Sequence, residues 1–164
     1  MSYTLKDFRG NAIYLDTMVF YGLLRGIDPT IRQLFAVVKA GDLQAYTSTL
    51  TFDELTYRMI WALAQEKYGD AAKEKWQEHR AEVFSTLYPH ILPPLTLLRN
   101  FPNLTLLDVS AIDLMLMSEN MGRCLLTPRV ALHLAAMQKI GCFDVLSHNK
   151  AFDCIHEVRR YTLT

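Results

Sequence analysis

Four short strand-like runs, each separated from the next by stretches of helical spacing, constrain this chain more than any other feature. They occupy residues 12–15, 44–47, 104–109 and 142–146, and each is too short to be a helix. Between the first two, Thr17–Arg25 is apolar enough for a helix and stops at Gly26. Pro29 then opens a second helix, which carries Leu34, Val37 and Val38 and ends at Gly41. From Thr51 onward Phe52, Leu55, Met59, Ile60 and Leu63 share one helical face. A helix over 111–121 follows the third run, and Thr127–Pro128 caps and opens another that ends at Gly141. A short helix near 150–157 and a last strand near Tyr161 complete the pattern. Short strands alternating with helices predict an α/β fold, a central parallel β-sheet flanked by helices on both faces. Ligands of such sheets bind beyond the carboxyl ends of the strands. That rule points to Asp16 after the first run and Ser147-His148-Asn149 after the fourth.

The stretch 64–98 departs from this rhythm and reads as an enlarged helical region. After a break at Gly69–Asp70, Ala72, Trp76, His79, Val83 and Leu87 keep helical spacing, and Pro89, Pro93 and Pro94 interrupt the residues beyond. Residues 91–100 are accordingly expected as a short helix or an irregular arm. The stripe of Trp76, Val83 and Leu87 serves either the core or a dimer interface, and its spacing leaves both open.

With 164 residues, no repeat and no linker, the simplest expectation is one domain over 1–164. A hydrophobic content of 51% supports a core that needs no disulfide or metal to hold it. The 17 basic and 17 acidic residues cancel, so any nucleic-acid contact must come from a local patch. The polar start, residues 1–10, and the odd set Cys124, Cys142 and Cys154 are expected of a soluble cytoplasmic protein with reduced thiols. No apolar run approaches the ~20 residues of a membrane span. Cys142, Cys154 and His156 lack the spacing of a zinc site, and the thiols are read as buried in a core. No Gly-rich phosphate loop or nucleophile elbow supports a small-molecule enzyme.

Four segments together resemble the PIN domain, the nuclease fold of VapC-type toxins. Ile13-Tyr14-Leu15-Asp16-Thr17 is similar to the opening strand and first metal-binding aspartate of that family. Thr47-Ser48-Thr49-Leu50-Thr51-Phe52-Asp53-Glu54-Leu55 resembles the strand and helix start that supply its glutamate, here Glu54. Thr127-Pro128-Arg129-Val130-Ala131-Leu132-His133-Leu134-Ala135 resembles the helix start that carries a third acid, but Val130 stands in the acid's place. Asp144-Val145-Leu146-Ser147-His148-Asn149-Lys150-Ala151-Phe152-Asp153 resembles the last segment, with Asn149 where an aspartate is usual.

The resemblance implies a metal-dependent ribonuclease, the toxin of a toxin–antitoxin pair, with a weakened site. Asp16 and Glu54 would be its catalytic acids. Asp16, Glu54, Asn149 and Asp153 would hold Mg²⁺ or Mn²⁺, since hard cations take oxygen ligands. Asp153 reaches the site if it shares a helix face with Asn149, four residues back. One metal is expected rather than two, because two negative charges are gone. Arg129, His148 and Lys150 are the candidate RNA contacts, and RNA, a protein antitoxin and a second copy of the chain are the implied partners. Each acid also has a plainer role: Asp16 can cap the next helix, and Thr51-Phe52-Asp53-Glu54 fits a capping box. His133 can line the pocket, but is read as a satisfied, partly buried histidine. The alternative function is a catalytically inactive PIN-like module that binds RNA or protein.

Overall fold

A computed structural model describes residues 2–163; Met1 and Thr164, the two ends of the expected domain, lie outside them. The strands are β1 (Ser2–Thr4), β2 (Ala12–Leu15), β3 (Gln44–Ser48), β4 (Leu104–Leu107), β5 (Asp144–Leu146) and β6 (Arg159–Thr162). They form one sheet in the order β1-β6-β5-β2-β3-β4, and every neighbouring pair is parallel. Parallel neighbours need crossover connections, and the helices supply most of them. Helices α1 (Thr17–Arg25) and α2 (Pro29–Ala40) link β2 to β3. Helices α3 (Thr49–Tyr68), α4 (Ala72–Glu78) and α5 (Arg80–Arg99) link β3 to β4, and α6 (Ala111–Cys124) and α7 (Pro128–Ile140) link β4 to β5. The α/β class and the two-faced parallel sheet expected from the strand–helix alternation are what the structure has.

The alternation along β2 explains the two-sided cover. Ile13 and Leu15 point into a core built with residues of α1, α2, α3 and α5, while Tyr14 points into a second core built with α7. Helix ends fall where glycine permits a left-handed turn: Gly26 (φ 63°) and Gly41 (φ 88°) return their amides to the carbonyls of the last turn.

Two expectations about the helices fail, each for a physical reason. The region 91–100 is neither a separate short helix nor an irregular arm, because α5 continues through Pro89, Pro93 and Pro94. Val83, Leu87, Ile91 and Leu98 form a buried stripe against the core, whereas Pro89 and Pro93 stand on the exposed side. Packing of that stripe outweighs the ~3 kcal/mol cost of an interior proline, and carbonyls freed on the outer face can meet water. The helical spacing from Ala72 to Leu87 does not run as one rod either, since the backbone turns at His79 (φ −129°, ψ 39°) between α4 and α5. The stripe itself is core: Val83 and Leu87 are buried and Trp76 packs beside them. Finally, β1 is a strand that the polar start of the chain does not announce; it is an edge strand on β6. Of the three thiols only Cys142 is buried, Cys124 is half-buried and Cys154 is exposed.

Candidate metal centre

The chain leaves β2 for β3 and then β4 on one side, and returns to β5 on the other side of β2. The strand order therefore reverses between β2 and β5, and a crevice opens past their carboxyl ends. Asp16 follows β2 and Ser147 follows β5 at this crevice. Asp16 caps α1, its Oδ1 accepting from the Thr17 amide at 2.7 Å. The Ser147 hydroxyl donates to its Oδ2. The capping role is thus real, and it fixes the carboxylate at the crevice.

Glu54 comes from α3, which begins earlier than the capping-box spacing implies, with Ser48 as its cap residue. Glu54 is free to turn inward. The Thr17 hydroxyl donates to its Oε2, and His133 Nε2 lies 3.2 Å from the same oxygen. Arg129 donates to Oε1 at 3.4 Å. Burial pushes the Glu54 carboxyl up, but His133, Thr17 and Arg129 together hold it below the usual carboxylate value.

His133 lies on α7 and is only 3% exposed. Its Nε2 also lies 3.9 Å from Asp16 Oδ1, while Nδ1 is 2.8 Å from the Tyr14 hydroxyl. That hydroxyl donates to Ser48 Oγ at 2.9 Å, and burial pushes the phenol far up, so it keeps its proton. One ligand atom each from Asp16, Glu54 and His133 lies within 4.8 Å of the others. Helical spacing placed His133 on the Val130 face, one turn along. It could not tell a satisfied core histidine from one aimed at two carboxylates.

The cleft above these groups encloses about 440 Å³ and is also lined by Arg58, Val130, His148 and Asn149. An adjoining hollow of about 480 Å³ shares Glu54, Arg58 and Arg129 with it and adds Tyr57 and Trp61. Asn149 is exposed on the cleft rim, and its side-chain oxygen accepts from the Ala151 amide at 3.0 Å. Lys150 is exposed next to it. Asp153 is not brought to the group. Both its oxygens bind the buried Arg160 guanidinium, at 2.9 and 2.8 Å. The segment Lys150–Cys154 is a 3-10 helix, so a four-residue step from Asn149 does not return to the same face.

No family model and no curated protein matches the chain by sequence. Solved structures do match it across nearly its whole length. Mycobacterium tuberculosis VapC20, described as a sarcin–ricin loop cleaving toxin, is 19% identical with a TM-score of 0.55 over 90% of this chain and 98% of that one. The DNA-bound VapBC complex of Salmonella typhimurium is 16% identical (TM-score 0.54; 94% and 100% covered). Rickettsia felis VapBC2, bound to a promoter DNA fragment, is 12% identical (0.54; 92% and 98%). The fold is the PIN fold of VapC-type toxins. In this chain α3 to α5 make up the connection between β3 and β4, and the Asp16–Glu54–His133 group sits at the sheet's switch point.

The residues present fit one divalent ion. Two carboxylates and an imidazole converge from three elements, and Asp16 and Glu54 are rigidly held by hydroxyl and amide donors.

Proposed function

We propose that residues 1–164 form a single-domain, metal-dependent endoribonuclease of the PIN toxin type, acting in the cytoplasm as the toxin of a toxin–antitoxin pair. The convergence of Asp16 and Glu54 at the switch-point crevice of a PIN fold is the observation that carries this reading. Asp16 and Glu54 hold Mg²⁺ or Mn²⁺, with Asn149 assisting from the rim. Asp153 is not carried forward, because Arg160 holds it. A bound divalent ion would supply charge neutralisation at phosphate and an activated water.

The chain's own groups position the substrate. Arg129, Arg58 and His148 line the cleft beside the acids and can meet phosphate oxygens, and Lys150 is exposed two residues beyond His148. Tyr57 and Trp61, on α3 next to Arg58, offer ring faces on which an unpaired base can stack. This local patch is what a chain of zero net charge needs to hold RNA. A protein antitoxin and a homodimer are the partners this reading carries; the solved VapBC structures are themselves toxin–antitoxin complexes.

The second reading is a catalytically silent PIN module. Val130 in the cleft wall and the Arg129–Glu54 ion pair favour it, since both reduce the charge available to a cation. Incubation of single-stranded RNA with the protein and millimolar Mn²⁺ separates the two. Cleavage that Asp16→Asn abolishes supports the nuclease, whereas neither cleavage nor Mn²⁺ binding leaves the silent module.

A further inference from the structure

We infer that His133 Nε2 is a third metal ligand, and that it takes over, one turn further along α7, the part of the acid that Val130 replaces. The inference rests on the metal site proposed for Asp16 and Glu54 and deepens it. Val130 and His133 are three residues apart on one helix and both line the cleft. A ligand lost at the helix start can therefore be supplied by a longer side chain one turn below.

Distances support a shared ion. Two atoms bound to one ion at ~2.1–2.2 Å stand at most ~4.4 Å apart. The Nε2 separations of 3.2 Å to Glu54 and 3.9 Å to Asp16 are inside that limit.

The hydrogen bonds behind the ring fix which nitrogen faces the acids. The Tyr14 hydroxyl, which also bonds Ser48 Oγ, engages Nδ1 of His133 at 2.8 Å, so Nε2 is the nitrogen turned toward the acids. The ring is also wedged edge-on against Tyr14, with centroids 5.8 Å apart. Nε2 stands at hydrogen-bond distance from Glu54 and near Asp16, and a cation bound by the three groups takes the place of that contact. An orienting hydrogen bond on the far nitrogen is what metal-bound imidazoles require. A set of two carboxylates and one imidazole suits Mn²⁺ better than Mg²⁺, which prefers oxygen and water alone.

The test is pulsed electron paramagnetic resonance of the full chain loaded with Mn²⁺, with Mg²⁺ competition alongside. The expected result is ¹⁴N modulation from a directly bound imidazole, absent in His133→Gln, and Mn²⁺ bound at least ~10-fold more tightly than Mg²⁺, a margin that narrows in the variant. The wild-type spectrum reads the ligand whether or not the variant folds. Bound Mn²⁺ without ¹⁴N coupling overturns the histidine ligand and leaves the Asp16–Glu54 site standing. No saturable Mn²⁺ binding at millimolar concentration overturns both.

Discussion

Asp113, reached by Lys139 of α7, and the pair Asp16–Glu54, reached by His133 of α7, are carboxylates withdrawn from water, and they are neutralised in different ways. Asp113 is fully buried on α6. Its Oδ2 accepts from the Ser110 amide (2.6 Å), the Ser110 hydroxyl (2.9 Å) and Lys139 (2.9 Å). Two further acids are matched one to one: Asp144 by Arg159 and Asp153 by Arg160, each through two bonds. At the crevice two carboxylates share one imidazole and a single long contact from the exposed Arg129. Asp113, Asp144 and Asp153 each have a dedicated cationic partner. At the crevice neither carboxylate has a cation of its own bound through two bonds, and a pair of carboxylates placed together at an open cleft is what attracts a cation.

That contrast can be broken by substitution, and the largest effect belongs to the crevice. Asp16→Asn keeps an oxygen to cap α1 but removes the charge, so Mn²⁺-dependent RNA cleavage is expected to fall by about 10²–10³-fold or more, measured as single-turnover rates. Asp113→Ala removes a cap and strands Lys139, and should cost about 2–3 kcal/mol in urea unfolding with little change in metal affinity. The double variant Val130→Asp, Asn149→Asp returns two acids to the crevice; Mn²⁺ affinity should rise about 10-fold by calorimetry. An unchanged affinity would place those positions outside the ion's reach.

A pH series sharpens the same comparison. Burial pushes the Asp113 carboxyl up, yet Lys139 and Ser110 bring it below its ordinary 3.8. A carboxyl that titrates lower in the folded chain stabilises the fold fully above its unfolded value, and that contribution is lost as pH falls through the folded one. Wild type should therefore lose stability between about pH 5 and pH 2 more steeply than Asp113→Asn does. The smallest effect has the opposite sign. Metal-free Asp16→Asn should gain up to about 1 kcal/mol, because relieving like charge at a functional site commonly stabilises.

The sheet was legible because each strand run is short, apolar and closed by a turn residue. Gly26, Gly41 and Gly141 mark helix ends by their own conformational freedom. What escaped was set by tertiary packing. Pro89, Pro93 and Pro94 read as breaks, since their cost is local and the buried stripe that overrides it is not. β1 gains its strand character from the edge of β6. At the site, Asp16 is legible because it ends a strand run, and Glu54 through the segment 47–55 that resembles the PIN family. Asp153 was misplaced by assuming α-helical pitch in a 3-10 segment. His133 was discounted because sequence spacing gives a face but not a depth, and only the fold brings Tyr14, Ser48 and Glu54 around its ring.

The central claim is that the Asp16 and Glu54 carboxylates are brought together to hold a divalent ion. Anomalous difference density in crystals grown with Mn²⁺ tests it most directly. One peak between the Asp16 and Glu54 carboxylates, absent from Asp16→Asn crystals grown the same way, is the result expected. A crevice that stays empty at millimolar Mn²⁺, with Glu54 still held by Arg129 and His133, would contradict it.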